Sequence, residues 1–214
     1  MADIVDFTRA RRRMVKTQIE RRGIRDTKVL QAMREVPREM FVEAGYEEFA
    51  YEDSPLPIGE GQTISQPFIV ALMVEAANVQ STDCVLEVGA GSGYATAVLS
   101  RIAAKVIAIE RHSELVVLAK ERLRKLSYDN VALHFGDGTK GWLESAPYDV
   151  IVVSAAGTRI PEALKDQLAV GGRLIVPVGR SWGNQVLLKI TRCGATEYFS
   201  EDIDKVRFVP LIEG

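Results

Sequence analysis

Gly89, Gly91 and Gly93 follow directly on the apolar run Val85-Leu86-Glu87-Val88 and lead into the segment Tyr94–Ile102. Glycines spaced this way let the backbone approach a ligand closely and take positive φ angles that a side chain forbids. The apolar run reads as a short buried strand, and the segment after the turn as a helix whose first N–H groups are free to meet a ligand. A second apolar run, Val106-Ile107-Ala108-Ile109, ends in Glu110. A carboxylate placed there, about 20 residues beyond the first glycine, suits the two hydroxyls of a ribose. Turn and carboxylate together predict a site for a nucleoside-bearing cofactor.

A second chemically suggestive stretch runs from Ser54 to Pro67. Pro55, Pro57, Gly59 and Gly61 predict an irregular, defined loop. It carries an amide, Gln62, and two small hydroxyls, Thr63 and Ser65, and it precedes the cofactor strand, so it can arch over the cofactor pocket. Pro67 then opens a helix through Asn78. Residue type leaves two readings of Ser65 open: a cap on that helix, or a hydroxyl facing the pocket.

These residues need a scaffold, and the chain supplies one in order. Phe7, Ala10, Met14, Val15 and Ile19 recur at helical spacing up to Gly23. This segment holds Arg9, Arg11, Arg12, Arg13, Arg21 and Arg22, without interleaved aromatics, and reads as a solvated helix face. Asp26 begins a second helix that Pro37 stops. From Cys84 onward apolar runs and helical patterns alternate, which predicts a parallel sheet with helices on both faces. The strands are expected at Val85–Val88, Val106–Ile109, Val131–Phe135, Asp149–Val153 and Leu174–Val178, with a helix from Pro161 through Val170. Ligands on such sheets sit beyond the carboxyl ends of the strands, where Glu110, Asp137 and Ser154 fall. Asp137, between Gly136 and Gly138, suits an adenine amino group, or else simple turn chemistry. After Gly179 the pattern turns to strands alone, at Gln185–Ile190, Thr196–Phe199 and Val206–Val209, predicting an antiparallel addition at one edge.

At 214 residues the chain fits one domain, with about 1–78 an N-terminal helical cap and active-site loop, about 79–180 the core and about 181–214 the closing strands. Apolar content of 47% and charged content of 26% mark a globular chain, and a net charge of −2 gives no overall drive toward nucleic acid or membrane. Cys84 and Cys193 form no C-x-x-C and read as buried small hydrophobes in a reduced compartment. With His112 and His134 the only histidines, no metal-ligand spacing exists. The start of the chain has no apolar leader, and no apolar run approaches the length of a membrane span. The expectation is a cytoplasmic, monomeric protein.

The glycine spacing separates cofactor types. A dinucleotide fingerprint wants a small residue where Tyr94 stands; Glu-Val-Gly-x-Gly-Ser-Gly-Tyr instead resembles motif I of the S-adenosylmethionine-dependent methyltransferases. Beyond that motif, the chain from Met14 onward resembles the protein-L-isoaspartate (D-aspartate) O-methyltransferases. The resemblance rests on Leu56–Pro67 with its Gly-Gln-Thr-Ile-Ser-x-Pro core, on Val85–Tyr94, on Gly136–Gly138, on Gly171–Gly179 and on Val206–Leu211.

It implies an α/β, Rossmann-like fold with a mostly parallel seven-stranded sheet, helices on both faces and an N-terminal helical cap. It implies S-adenosylmethionine as cofactor, held by Gln62, Thr63, Ile64, Glu87, Gly89, Gly91, Gly93, Glu110, Arg111, Asp137 and Gly138. It implies Ser65 as the active-site hydroxyl, with Thr63, Val206 and Phe208 toward an isoaspartyl peptide or protein, and no role for nucleic acid, membrane or metal. Phe68 departs from the family, where His or Tyr is common, and Gly157 stands where Pro is common. The rival readings are a tRNA methyltransferase, supported only by the arginines, and a non-catalytic cofactor-binding adapter. An amide- or base-N-methyltransferase would show Asn-Pro-Pro-Tyr where this chain has Ser154-Ala155-Ala156-Gly157.

Overall fold

The computed structural model describes residues 6–180 and 183–214; the start of the chain through Val5, read above for an apolar leader, lies outside the described residues. Asp6 caps α1 (Phe7–Met14) by accepting from Arg9 N–H at 3.0 Å. The helix continues as a π turn over Val15–Ile19 and a 3-10 turn over Glu20–Arg22, and ends where Gly23 takes φ 111°. Asp26 caps α2 (Thr27–Glu35) through the Lys28 and Val29 N–H groups. That helix stops at Val36, which is extended as the residue before a proline must be.

The stretch predicted as an irregular loop is instead an antiparallel hairpin, β1 (Leu56–Gly59) and β2 (Gln62–Ile64). Gly59, Glu60 and Gly61 all take positive φ and make the reversal, while Leu56, Ile58 and Ile64 are buried. α3 (Pro67–Ala77) follows, closed by Asn78 in the left-handed region.

The core alternates β3 (Cys84–Val88), α4 (Tyr94–Ser100), β4 (Lys105–Glu110), α5 (Ser113–Lys125), β5 (Val131–Phe135) and β6 (Tyr148–Val153). α6 (Glu162–Asp166), β7 (Leu168–Gly179), β8 (Gln185–Arg192) and β9 (Tyr198–Val206) complete it. Among the described residues seven strands form one sheet in the order β5-β4-β3-β6-β7-β8-β9. The first five run parallel, and β8 runs antiparallel to both its neighbours. This is the Rossmann-like methyltransferase architecture the resemblance implied. Successive residues of a strand point to opposite faces. Val85 and Val106 therefore join the core shared with the N-terminal helices, while Leu86, Val88, Ile107 and Ile109 join the core on the other face.

Three expectations need correction. The helix predicted from Pro161 through Val170 spans only Glu162–Asp166, and β7 begins at Leu168. Leu168 pairs with Tyr148, and at Gly172 a side chain would meet the Ala169 and Tyr148 carbonyl oxygens at 2.8 and 2.9 Å. Sheet pairing therefore takes over residues whose apolar content suggested a helix. Thr196–Phe199 and Val206–Val209 are not separate strands: β9 is one strand over Tyr198–Val206. It is an edge strand, and Glu201, Asp202 and Asp204 on it hide the apolar alternation that marks a half-buried strand. Finally, Cys193 is exposed and Cys84 only half-buried.

Candidate active site

The carboxyl ends of β3, β4 and β6 open into a cleft whose floor is the glycine turn. The turn is pinned by backbone: the Gly89 and Ala90 N–H groups both donate to the Ile109 carbonyl, at 2.9 and 3.1 Å. Glu110, 5% exposed, lines the cleft at the end of β4. Its carboxylate accepts from Gly91 N–H at 2.8 Å through one oxygen and from His112 N–H at 2.9 Å through the other. Each oxygen keeps acceptor capacity, since a carboxylate has about four lone-pair sites. The predicted ribose acceptor is therefore fixed before any ligand arrives.

Glu87 lies deeper, fully buried, on the cleft wall. The Thr96 hydroxyl donates to one of its oxygens, and the other has no hydrogen-bond partner among the described residues. Burial pushes its carboxyl up to about 8; the Thr96 bond opposes the shift and the neighbouring Glu110 charge adds to it. A buried acceptor without a donor is costly, and Glu87 is one of the residues that line the cleft. Its chemistry fits the ammonium end of an amino-acid-bearing cofactor, as Glu110 fits the ribose.

Gln62, Thr63 and Ile64 on β2, then Ser65, Arg111 and Gly138, line the same cleft as Gly89 and Gly91. At Gly138 a side chain would sit 2.4 Å from Val88 Cγ1, so only hydrogen fits between the two walls. Two predicted cofactor residues are placed differently. Gly93, at φ 89°, caps α4 beneath α5, where a Cβ would lie 3.3 Å from Ala119 Cβ; helix packing explains it. The Asp137 carboxylate turns toward its own loop rather than the cleft. It accepts from Thr139 N–H and hydroxyl at 2.9 and 2.7 Å, and from Gly214 N–H at 3.3 Å, with Lys140 Nζ also at 3.3 Å. Partial burial would raise its pKa, but these donors outweigh it and hold the carboxyl below its usual value. The turn-chemistry reading of Asp137 thus describes its first oxygen fully.

A second depression joins the cleft at Thr63, Ser65 and Ser154 and runs past Val206, Phe208 and Pro210. Gln185, 1% exposed, fixes this wall: its amide accepts from Phe208 N–H at 2.6 Å and donates to the Phe208 carbonyl at 3.2 Å. Ser65 therefore stands where the two depressions meet. It is not the helix cap. The N-cap of α3 is Gln66, without a side-chain cap bond, and the Phe68 N–H is served from outside by Asp53 at 3.4 Å. Among the described residues the Ser65 hydroxyl makes no hydrogen bond, and the serine is half-buried.

A family model described as protein-L-isoaspartate(D-aspartate) O-methyltransferase matches residues 9–214. The chain belongs to that family. The match begins five residues before Met14, where the recognisable motifs start. Over 199 residues the chain is 56% identical to protein-L-isoaspartate O-methyltransferase 2 of Pelobacter propionicus, covering 93% of this chain and 88% of the relative. Over 211 residues it is 56% identical to the protein-L-isoaspartate O-methyltransferase of Methylorubrum extorquens, covering 99% and 92%. A solved structure of a putative protein-L-isoaspartate O-methyltransferase from Plasmodium falciparum, in complex with S-adenosyl-L-homocysteine, superposes with a TM-score of 0.82 at 28% identity, over 95% of this chain and 99% of that one. On this membership the chain is a methyltransferase that uses S-adenosylmethionine.

Seen as a member of this family, the chain has site features that sequence reasoning missed. Pro210, Leu211 and Ile212 line the cofactor cleft, tied down by Leu211 N–H to the Ala156 carbonyl at 2.8 Å and by Arg111 to the Ile212 carbonyl at 3.1 Å. The arginine-rich start is only partly a solvated face. Arg9, Arg12, Arg13, Arg21 and Arg22 are exposed, Arg22 while paired with Asp53, and Arg11 is half-buried, bonding the Tyr51 hydroxyl and Glu39. Among the described residues no group of three or more His, Cys, Asp or Glu could hold a metal ion, and no helix is long and apolar enough to cross a membrane.

Proposed function

We propose that this enzyme methylates the free α-carboxylate of L-isoaspartyl residues, and of D-aspartyl residues, in damaged peptides and proteins, and so starts their repair. The observation that carries this reading is Ser65: a hydroxyl without a hydrogen-bond partner among the described residues, at the junction of the cofactor cleft and a second groove. Glu110 receives the ribose hydroxyls and Glu87 the ammonium group of S-adenosylmethionine, while Gly89 and Gly91 allow close approach along the turn. Gln62, Thr63, Ile64, Arg111 and Gly138 complete the enclosure. Asp137 reaches the adenine amino group only by sharing its second oxygen with the Gly214 N–H. Thr63, Val206 and Phe208 line the acceptor's path.

The bound cofactor supplies an electrophilic methyl carbon on a positively charged sulfur. The chain's own task is alignment, which alone contributes much to a two-reactant transfer. An α-carboxylate with an ordinary pKa of about 3.3–3.7 is already ionised at neutral pH. No general base is required, in keeping with a site that offers Ser65 and Thr63 rather than a His–Asp pair. The Ser65 hydroxyl donates to the carboxylate and orients one oxygen toward the cleft. The resulting ester leaves the enzyme, and the next backbone nitrogen displaces methanol from it to close a succinimide. Hydrolysis of that ring returns part of the sites to the normal aspartyl linkage.

We take the chain to act as a single methyltransferase domain, monomeric and cytoplasmic, on proteins rather than nucleic acid or membranes. Two of the arginines that alone favoured a tRNA substrate are engaged within the fold. Labelled cofactor with a synthetic isoaspartyl peptide and with bulk tRNA tests the reading. The expected result is a base-labile label in the peptide; a base-stable label in tRNA would overturn it.

A further inference from the structure

The end of the arginine-rich segment reaches the acceptor loop. Arg22 donates to Asp53 Oδ2 at 2.5 Å and lays its guanidinium 3.4 Å from the centre of the Phe68 ring. The same Asp53 oxygen accepts from Gln66 Nε2 at 2.6 Å, and the other accepts from Phe68 N–H at 3.4 Å. One carboxylate thus holds the residue immediately after Ser65 by its side chain, and the helix that begins just beyond by its backbone. That helix has no side-chain cap of its own, and a negative charge at its free N–H groups is favourable. Asp53 itself lines neither the cofactor cleft nor the groove.

We propose that Asp53, anchored by Arg22, is a positioning residue that sets where the Ser65 hydroxyl stands between cofactor and acceptor. Gln66 is extended, at φ −48° and ψ 136°, with Ser65 on one side and the fixed start of α3 on the other. Release of the Gln66 side chain and of the helix start frees both ends of that short link. The Phe68 departure fits the same device: the ring is 6% exposed, beneath Arg22. Stacking with the guanidinium, rather than a ring hydrogen bond, holds this position. The inference rests on the proposed role of Ser65 in orienting the acceptor carboxylate.

Initial rates on an isoaspartyl peptide, the dissociation constant of S-adenosylhomocysteine and the melting temperature are to be measured for Asp53→Ala, Asp53→Asn, Arg22→Met and the double variant Asp53→Ala/Ser65→Ala. A misplacement of about 1 Å can cost on the order of a hundredfold in rate, so Asp53→Ala is expected to lower kcat by about 10- to 100-fold. Cofactor affinity should stay within about threefold, because the network makes no contact with the cleft. Asp53→Asn, which keeps an acceptor for the Phe68 N–H, should recover part of the loss, and Arg22→Met should lose less than Asp53→Ala. The double variant should be little worse than Ser65→Ala alone, since groups acting as one unit are not additive. An unchanged kcat in Asp53→Ala, or losses that multiply in the double variant, would overturn the proposal. If Asp53→Ala does not fold, an Arg22→Met enzyme with wild-type kcat and a lowered melting temperature has the same force. A wild-type enzyme that leaves the isoaspartyl peptide untouched fails the reading of the site itself, and this inference falls with it.

Discussion

On the cofactor side the glycine turn and Glu110 are held by backbone groups, whereas the ties on the acceptor side run through side chains. At the cleft, Gly89 and Ala90 hang from the Ile109 carbonyl, and Glu110 is fixed by the Gly91 and His112 amides. Those partners are set once β3 and β4 pair, whatever side chains the neighbours carry. On the acceptor side, Ser65 depends on Asp53, Arg22 and Gln66, and Phe208 depends on Gln185. Each of those ties is a single side chain that one substitution removes. A backbone-built wall suits a cofactor that is the same compound in every turnover. A wall built from side chains puts specificity for the acceptor within reach of single substitutions.

Ser65 carries the largest expected effect on the acceptor side. Ser65→Ala is expected to lower turnover of isoaspartyl peptide by about 10- to 1000-fold, the scale of losing one oriented donor. Binding of S-adenosylhomocysteine, measured by calorimetry, should barely change. Normal turnover would move the orienting group elsewhere in the groove.

Glu110 is the corresponding test on the other side. Glu110→Ala should weaken S-adenosylhomocysteine by about 1.5–3 kcal/mol, the usual worth of hydrogen bonds to a charged group. An unaltered dissociation constant would take the ribose away from β4.

The pH dependence of cofactor binding gives the sharpest distinction. Burial, with the Glu110 charge adding and the Thr96 bond opposing, pushes the Glu87 carboxyl up to about 8. Its neutral form is favoured in the folded protein. The stability it contributes is therefore present below the ordinary carboxylate range and is lost as the pH rises toward and through that value. A ligand ammonium prefers the ionised form, so S-adenosylhomocysteine should bind tighter as the pH rises from about 6 to 8, by at most about tenfold per unit, and then level off. Glu87→Gln should abolish the slope. A flat wild-type profile would place the ammonium against another group.

How far the sequence could be read follows the same division. The glycine turn, the apolar runs of β3 and β4 and the position of Glu110 are local signals, and each predicts its own backbone. The parallel sheet with its antiparallel edge was legible for the same reason. Asp53 was not: its partners Arg22 and Gln66 lie 31 and 13 residues away, and nothing in an isolated aspartate announces them. Neither was the place of Pro210–Ile212 on the cleft wall, whose ties to Ala156 and Arg111 exist only after folding. Ser65 is ambiguous in sequence because a serine just before Pro67 suits a cap as well as a site; Asp53 taking the Phe68 amide removes only the cap reading. Gly93 and Asp137 are the opposite case: residues in the right motif whose contacts within the described chain are with α5 and with their own loop.

In the proposed mechanism the groove and Ser65 together measure where the acceptor carboxylate lies. In an isoaspartyl linkage the free carboxylate is the α one, whereas a normal aspartyl residue carries its carboxylate one methylene further from the main chain. Initial rates on an isoaspartyl peptide and on its normal aspartyl isomer, compared under one set of conditions, test this most directly. Lost alignment and lost hydrogen bonds together predict a preference of at least about a thousandfold for the isoaspartyl isomer. Equal rates on the two isomers would contradict the account.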